Sequence, residues 1–204
     1  MTDNKRQPLG TFMDLLSAEI RLRMGKDPSR AAAHQRIFGS AALAASQGGS
    51  ERPRPQPACR HLAECFAELE TIGGNLGKLG AALREIEPHL NWNNQSERRK
   101  SADLAENYAD SFIVGPGGFV QSSAIEIGVS VMAPHTTYPD HRHPPEELYL
   151  VLSEGEWRQN AEAWHEPGVG GVVYNPPDIV HAMRADAKPL FAIWCLPLDN
   201  TPHS

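Results

Sequence analysis

The chain has 204 residues, of which 22% are charged and 40% hydrophobic, and carries a formal net charge of −6. That length suits one domain, or one domain with a helical extension, and can bury a core without disulfide staples. The negative balance lacks the basic cluster of a nucleic-acid-binding surface, and no stretch approaches the roughly 20 apolar residues of a membrane span. The opening "MTDNKRQPLGTFMDLL" holds no apolar run of signal-peptide length. Cys59, Cys65 and Cys195 form no CxxC pair, and an odd count is no disulfide framework, so a reduced, cytoplasmic setting is expected.

The first hundred residues read as helix. "GTFMDLLSAEIRLRM" places Phe12, Leu15, Leu16, Ile20 and Met24 at mostly three- and four-residue steps, which gives one apolar face. "SRAAAHQRIFGSAALAAS" is alanine-rich and predicts a second helix with Ser29 as its N-cap. The prolines and glycines of Gly48–Pro57 then break the pattern. "ACRHLAECFAELETI" and "LGKLGAALREIEPHL" give two more helices, the last ending near Pro88. Their apolar stripes are too extensive to stay solvated. They are expected to pack on the rest of the chain, with a homodimer contact or a pocket lid as further roles.

After about residue 108 the period changes. "SFIVGPGG", "AIEIGVSVMA", "ELYLVL", "GGVVYNPP" and "LFAIWCL" are short, β-branched runs separated by Gly, Pro, Asn and Asp, the pattern of a sandwich or barrel. "AIEIGVSV" alternates, which predicts one buried and one open face. The expected organisation is a helical region over 1–107 and a small β-barrel over 108–204.

Chemistry concentrates in "YPDHRHPPEELYLVL", Tyr138–Leu152. In an extended chain His141, His143, Glu147 and Tyr149 share one face, while Leu148, Leu150 and Leu152 take the other. Pro144 and Pro145 put a bend between the histidines and the glutamate. Two imidazoles and a carboxylate this close match a site for a divalent transition metal. Downstream, "GGVVYNPPDIVHAM" places a strand after Gly170 or Gly171, a turn at Pro176 and Pro177, and His181 at the start of another strand.

These two segments resemble the paired motifs of the cupin superfamily. HxHxxxE is matched at His141, His143 and Glu147, and the second motif at Gly170, Pro176 and His181. His135 stands where the first motif has glycine, Gly155 falls one residue late, Asp178 replaces the PxG glycine, and Ala185 the final Asn. With the helical N-terminal region and the closing "IWCL", the chain resembles the bacterial cupin-type dimethylsulfoniopropionate (DMSP) lyases. The resemblance implies a mainly β fold, a cupin double-stranded β-helix or jelly-roll barrel behind an α-helical region. It implies one divalent transition ion per chain (Fe, Zn, Mn, Ni or Co) on His141, His143, Glu147 and His181, with His141 the ligand most open to an outer role. It also implies a catalytic Tyr149 and substrate contacts from Tyr138 and Trp194.

The implied substrate carries a carboxylate and a β-sulfonium, and its cleavage to dimethyl sulfide and acrylate needs removal of one α proton. Aromatic faces from Tyr138, Trp194 or Trp164 would suit the sulfonium. A cupin Fe(II) dioxygenase would use the same four ligands but needs no tyrosine base. A non-catalytic small-ligand cupin is disfavoured by the negative charge and the lack of a helix-turn-helix in the N-terminal helices. His135 and His165 are read as solvated loop residues, Trp92 as a linker aromatic packed on the barrel, and Cys195 as a small buried hydrophobe.

Overall fold

A computed structural model of the chain describes residues 3–39, 46–47, 55–93 and 102–198. Helix α1 (Asp3–Arg23) starts before the expected Gly10 and continues through Pro8, which forfeits a backbone bond there without ending the helix. Phe12, Leu16 and Ile20, at four-residue steps, are fully buried. Helix α2 (Pro28–Phe38) is capped by Asp27 rather than Ser29, because the Asp27 carboxylate accepts the Ser29 amide while Pro28 occupies the first turn. It ends at Gly39, well short of Ser46, and Ser46–Gln47 instead form a short strand, β1. The alanine-rich residues 40–45 and most of the Gly48–Pro57 break lie outside the described residues. A 3-10 turn (Pro57–His61) leads into α3 (Leu62–Ile72). Then come α4 (Gly74–Ile86), a second turn (Glu87–His89) and α5 (Ala102–Asn107).

The strands follow directly: β2 (Tyr108–Val114), β3 (Val120–Gln121), β4 (Ile125–Met132), β5 (Thr137–His141) and β6 (Glu147–Val151), then β7 (Glu156–Gln159), β8 (Val172–Asn175), β9 (His181–Arg184) and β10 (Leu190–Pro197). Seven form one sheet, in the order β1-β3-β2-β4-β10-β6-β8, and the remaining three form a second, β5-β9-β7. The expected helical region and barrel are both present. No helix among the described residues is long and apolar enough to cross a membrane.

Period-two alternation sorts the strands into two apolar clusters. Ile127, Val129, Leu148, Leu150 and Ile193 point outward and join Phe12, Leu16, Ile20, Leu79 and Leu83 in one core with the helices. Met132, Tyr149, Val151, Leu190, Ala192 and Trp194 point inward with Tyr138, Trp157 and Met183 of the smaller sheet. The expectation of an open face on "AIEIGVSV" is corrected here: every residue of β4 but Glu126 is buried. Its second face, Glu126, Gly128 and Ser130, lines the barrel interior, and polar residues are tolerated there because the interior holds a cavity.

Two departures from the cupin motifs have a backbone reason. His135 and Asp178 stand where glycines were expected and adopt φ of 59° and 58°. They keep the left-handed turns that glycine would make, as His and Asp do more readily than most residues. Gly170 keeps the motif glycine at φ +82°, and a Cβ there would come within 2.3 Å of the Arg23 guanidinium.

The helices also reach the site-bearing strand through charge. Arg36 on α2 pairs with the buried Glu146, which also accepts a 2.9 Å hydrogen bond from the Tyr174 hydroxyl. Removing one partner of a fully buried pair costs about 3–5 kcal/mol, and the 32% exposure of the Arg36 side chain brings this pair to the low end. Arg36→Met is expected to lower stability by that order, and a chain beginning at Ser101 is expected to aggregate. Denaturant unfolding and size-exclusion chromatography check both, and a monodisperse, fully active truncated chain would show that the helices are dispensable.

Candidate active site

Glu147 opens β6, so its side chain enters the barrel, as does Tyr149 two residues on. His181 opens β9 and is the register partner of His141 across the smaller sheet. Strand β5 carries one extra residue against β9 between Tyr138 and His141. That bulge shifts the alternation, so Tyr138, of opposite parity to His141, faces the same cavity. Pro139 sits inside the bulge, where its missing N–H leaves no ladder bond unmade.

The side-chain nitrogens of His141, His143 and His181 lie within 4.8 Å of one another. Each ring is oriented by a backbone carbonyl on Nδ1: Pro139 at 3.0 Å, Pro145 at 2.8 Å and Ile179 at 3.0 Å. A carbonyl can only accept, so Nδ1 carries the hydrogen in all three, and Nε2 is the atom a neutral ring presents to the cavity. Glu147 Oε2 sits 3.5 Å from His143 Nε2 and 3.3 Å from His181 Nε2, and accepts a 3.0 Å bond from Asn175 Nδ2. Asn175 is in turn held by Gln159 at 2.8 Å. His181 is 2% exposed, and its Nε2 is buried without a hydrogen-bond partner. Such an atom is costly unless something binds it. Three imidazole nitrogens, one of them orphaned, beside a carboxylate fit a divalent transition ion.

The electrostatics are coupled. Burial works against the charge on Glu147, but His143 and His181 outweigh it and hold the carboxyl far below the usual range. Burial likewise opposes charge on His143, yet Glu147 and the Pro145 carbonyl leave its pKa raised. Free Glu and His titrate near about 4.3 and 6.5. In metal-stripped protein the stability from a depressed Glu147 is therefore present above about pH 4.3 and lost on acidification. That from a raised His143 is present below about pH 6.5 and lost as pH climbs through its folded pKa. Metal binding has the opposite slope, since the imidazole must shed its proton. Metal affinity is expected to keep rising above pH 6.5, with proton release, which calorimetry in buffers of different ionisation enthalpy checks. An affinity flat from pH 6 to 8 would contradict it.

His141, His143 and Glu147 open on a cavity of about 400 Å³, also lined by Tyr138, Tyr149, Trp194, Tyr108, Asp110 and Glu126. Tyr149 is 4% exposed, and burial, then the Glu147 charge, push its hydroxyl well above the usual phenol range. Trp194 is the register partner of Tyr149, and its ring meets Phe112 edge-on at 5.1 Å. Trp164, expected as an alternative aromatic wall, is corrected: its ring lies 4.8 Å from the Arg158 guanidinium and 4.5 Å from that of Arg184, and it is not among the residues lining the cavity. His135 and His165 are exposed, and Cys195 and Trp92 are buried in the outer core. Sequence reading missed Tyr108, Asp110, Ser130 and Asn175. The available signal was polar residues inside otherwise apolar strands, as in "YADSFIV" and "VVYN".

A barrel with an imidazole–carboxylate cluster opening on its lumen defines the class, a cupin. Residues 29–192 match the model of the dimethylsulfoniopropionate lyase family, and the chain belongs to that family. It is 31% identical over 150 residues to DddL of Cereibacter sphaeroides, a protein named as a DMSP lyase, a match covering 72% of this chain and 62% of that one. It is 31% identical over 107 residues to the DMSP lyase DddQ of Ruegeria pomeroyi, covering 51% of this chain and 53% of that one. The chain thus spans between half and two thirds of the curated relatives it matches. The fold is that of the R. pomeroyi DddQ crystal structure, with TM-score 0.68 and 22% identity over 95% of this chain and 94% of that one. A crystal structure of the DMSP lyases RdDddP and RnDddQII aligns with TM-score 0.71 and 18% identity, covering 98% of this chain and 97% of that one.

Proposed function

We propose that this protein cleaves DMSP to dimethyl sulfide and acrylate by base-catalysed β-elimination. The observation that supports this most is the placement of Tyr149, a buried hydroxyl two residues beyond Glu147 on the cavity wall. His141, His143, Glu147 and His181 would hold one divalent transition ion. When bound, that ion supplies positive charge for the substrate carboxylate and makes the α carbon more acidic.

Tyr149 takes the α proton on its hydroxyl oxygen, and the C–H electron pair becomes the new C=C bond. The C–S pair leaves with sulfur as neutral dimethyl sulfide, and the carboxylate stays on acrylate. Tyr149 reacts as phenolate, which the cation of the bound substrate favours against the effects of burial and Glu147. Tyr138 and Trp194 flank the reacting centre and exclude water. Tyr138 packs against His141 with ring centroids 4.8 Å apart, so it also fixes that imidazole.

The test is direct: the purified, metal-loaded full chain is given DMSP and headspace dimethyl sulfide is measured against acrylate formed. Equal release of both supports the reaction. Tight, unreactive DMSP binding would make the protein a binding cupin instead.

A further inference from the structure

A directed hydrogen-bond chain runs across β2, β4 and β10 of the larger sheet. Trp194 Nε1 lies 3.0 Å from Ser130 Oγ, Ser130 Oγ 3.0 Å from Tyr108 Oη, and Tyr108 Oη 3.1 Å from Asp110 Oδ2. An indole N–H can only donate, so Ser130 accepts from Trp194 and its own hydrogen goes to Tyr108. The Tyr108 hydrogen then goes to Asp110. Every donor points the same way, and Asp110 stands at the accepting end of the chain. Asp110 is 6% exposed and lines the cavity with Glu126. Trp194 lies flat here only because residue 128 has no side chain: a Cβ on Gly128 would sit 2.1 Å from the indole Cζ2.

Resting on the reading of the site as one for a cationic carboxylate substrate, we propose that Asp110 is the counter-ion that selects the substrate's onium group. Gly128 seats the Trp194 face beside it. The barrel then reads its ligand at two ends. The histidine end takes the carboxylate, and the Asp110 end requires a compact alkylated cation such as a tertiary sulfonium or a quaternary ammonium. Tyr108 and Ser130 are positioning residues, since they fix the carboxylate and the indole through hydrogen bonds.

The test compares two carboxylates of one shape by isothermal titration into the metal-loaded full chain: 3-(trimethylammonio)propanoate and 4,4-dimethylpentanoate, its isostere with an uncharged tert-butyl end (here the neutral acid). The expected preference for the cation is at least about tenfold, the scale of a charge-assisted contact in a partly wet site. Asp110→Asn keeps shape and an acceptor for Tyr108, and should bring the ratio near one by weakening the cation. Gly128→Ala should displace the indole and weaken the cation more than the neutral acid, giving a second route if the Asp110 variant does not fold. Equal wild-type affinities, no binding of either compound, or a preference that survives in Asp110→Asn overturns the proposal. DMSP turnover is scored separately. A cation preference without turnover removes the reaction and keeps the subsite, and turnover without a preference does the reverse.

Discussion

Tyr149→Phe is expected to fold, keep its metal and lose turnover. The substitution removes one hydroxyl from a ring packed 6.1 Å from Trp157 within the inner core, so barrel packing is preserved. General-base catalysis contributes about 10²–10⁴-fold, and kcat for DMSP should fall by that order. Apparent affinity should change less, because the groups that meet the carboxylate and the onium remain. The wild-type rate should rise with pH, since burial and Glu147 both favour the neutral phenol, and the variant should lose that rise. Tyr138→Phe should cost less, as its ring contacts with Tyr108 and His141 survive. A Tyr149→Phe protein with full metal content and near-normal dimethyl sulfide release would remove Tyr149 as the base.

The shared placement of His141, His143, Glu147 and Tyr149 on the cavity was legible because strand parity is a local property. Glu147, Tyr149 and Val151 alternate with Leu148 and Leu150, and the inner and outer clusters divide them the same way. His181 was legible through its spacing from Pro176. Tyr138 was not, from periodicity alone. An extended reading puts it on the face opposite His141, and only the bulge against β9 turns both into one cavity. Asp110 and Ser130 were illegible for another reason. They are single polar residues in apolar strands, and their meaning depends on β2, β4 and β10 lying side by side, which is a long-range pairing.

In the helical half, the apolar spacing of Phe12, Leu16 and Ile20 gave the buried face correctly. Helix ends depend on caps that compete. Asp27 and Ser29 are both good caps, and Pro28 between them decides for Asp27, because proline suits the first helical turn and leaves the Ser29 amide to be capped. What the helices do for the site was also hidden. Arg36 reaches a glutamate 110 residues away, and no local pattern announces a pair of that separation. The pairing ties α2 to the residue next to Glu147, so the helical layer bears on the placement of a metal-site carboxylate.

Removing single ligands should separate direct donors from the groups that orient them. His143→Ala, Glu147→Ala and His181→Ala are each expected to empty most of the site of an ion otherwise bound at about one per chain, since each takes away one donor. His181→Ala has a further signature. His181 also helps hold the Glu147 carboxyl below its usual range, so alanine should lose metal affinity and, above about pH 4.3, some stability of the stripped protein. Asn175→Leu leaves all four donors but releases the Glu147 carboxylate it holds at 3.0 Å, and should cost roughly 10–100-fold in affinity, the scale for an orienting partner. His141 is placed by the same comparison: a loss like that of His181→Ala makes it a donor, and one like that of Asn175→Leu makes it an orienting residue. Inductively coupled plasma measurement of metal, with chelator competition for affinity, reads every variant. If the alanine variants at 143, 147 and 181 all kept one ion per chain, the metal would lie elsewhere, and neither the cluster nor the elimination built beside it would stand.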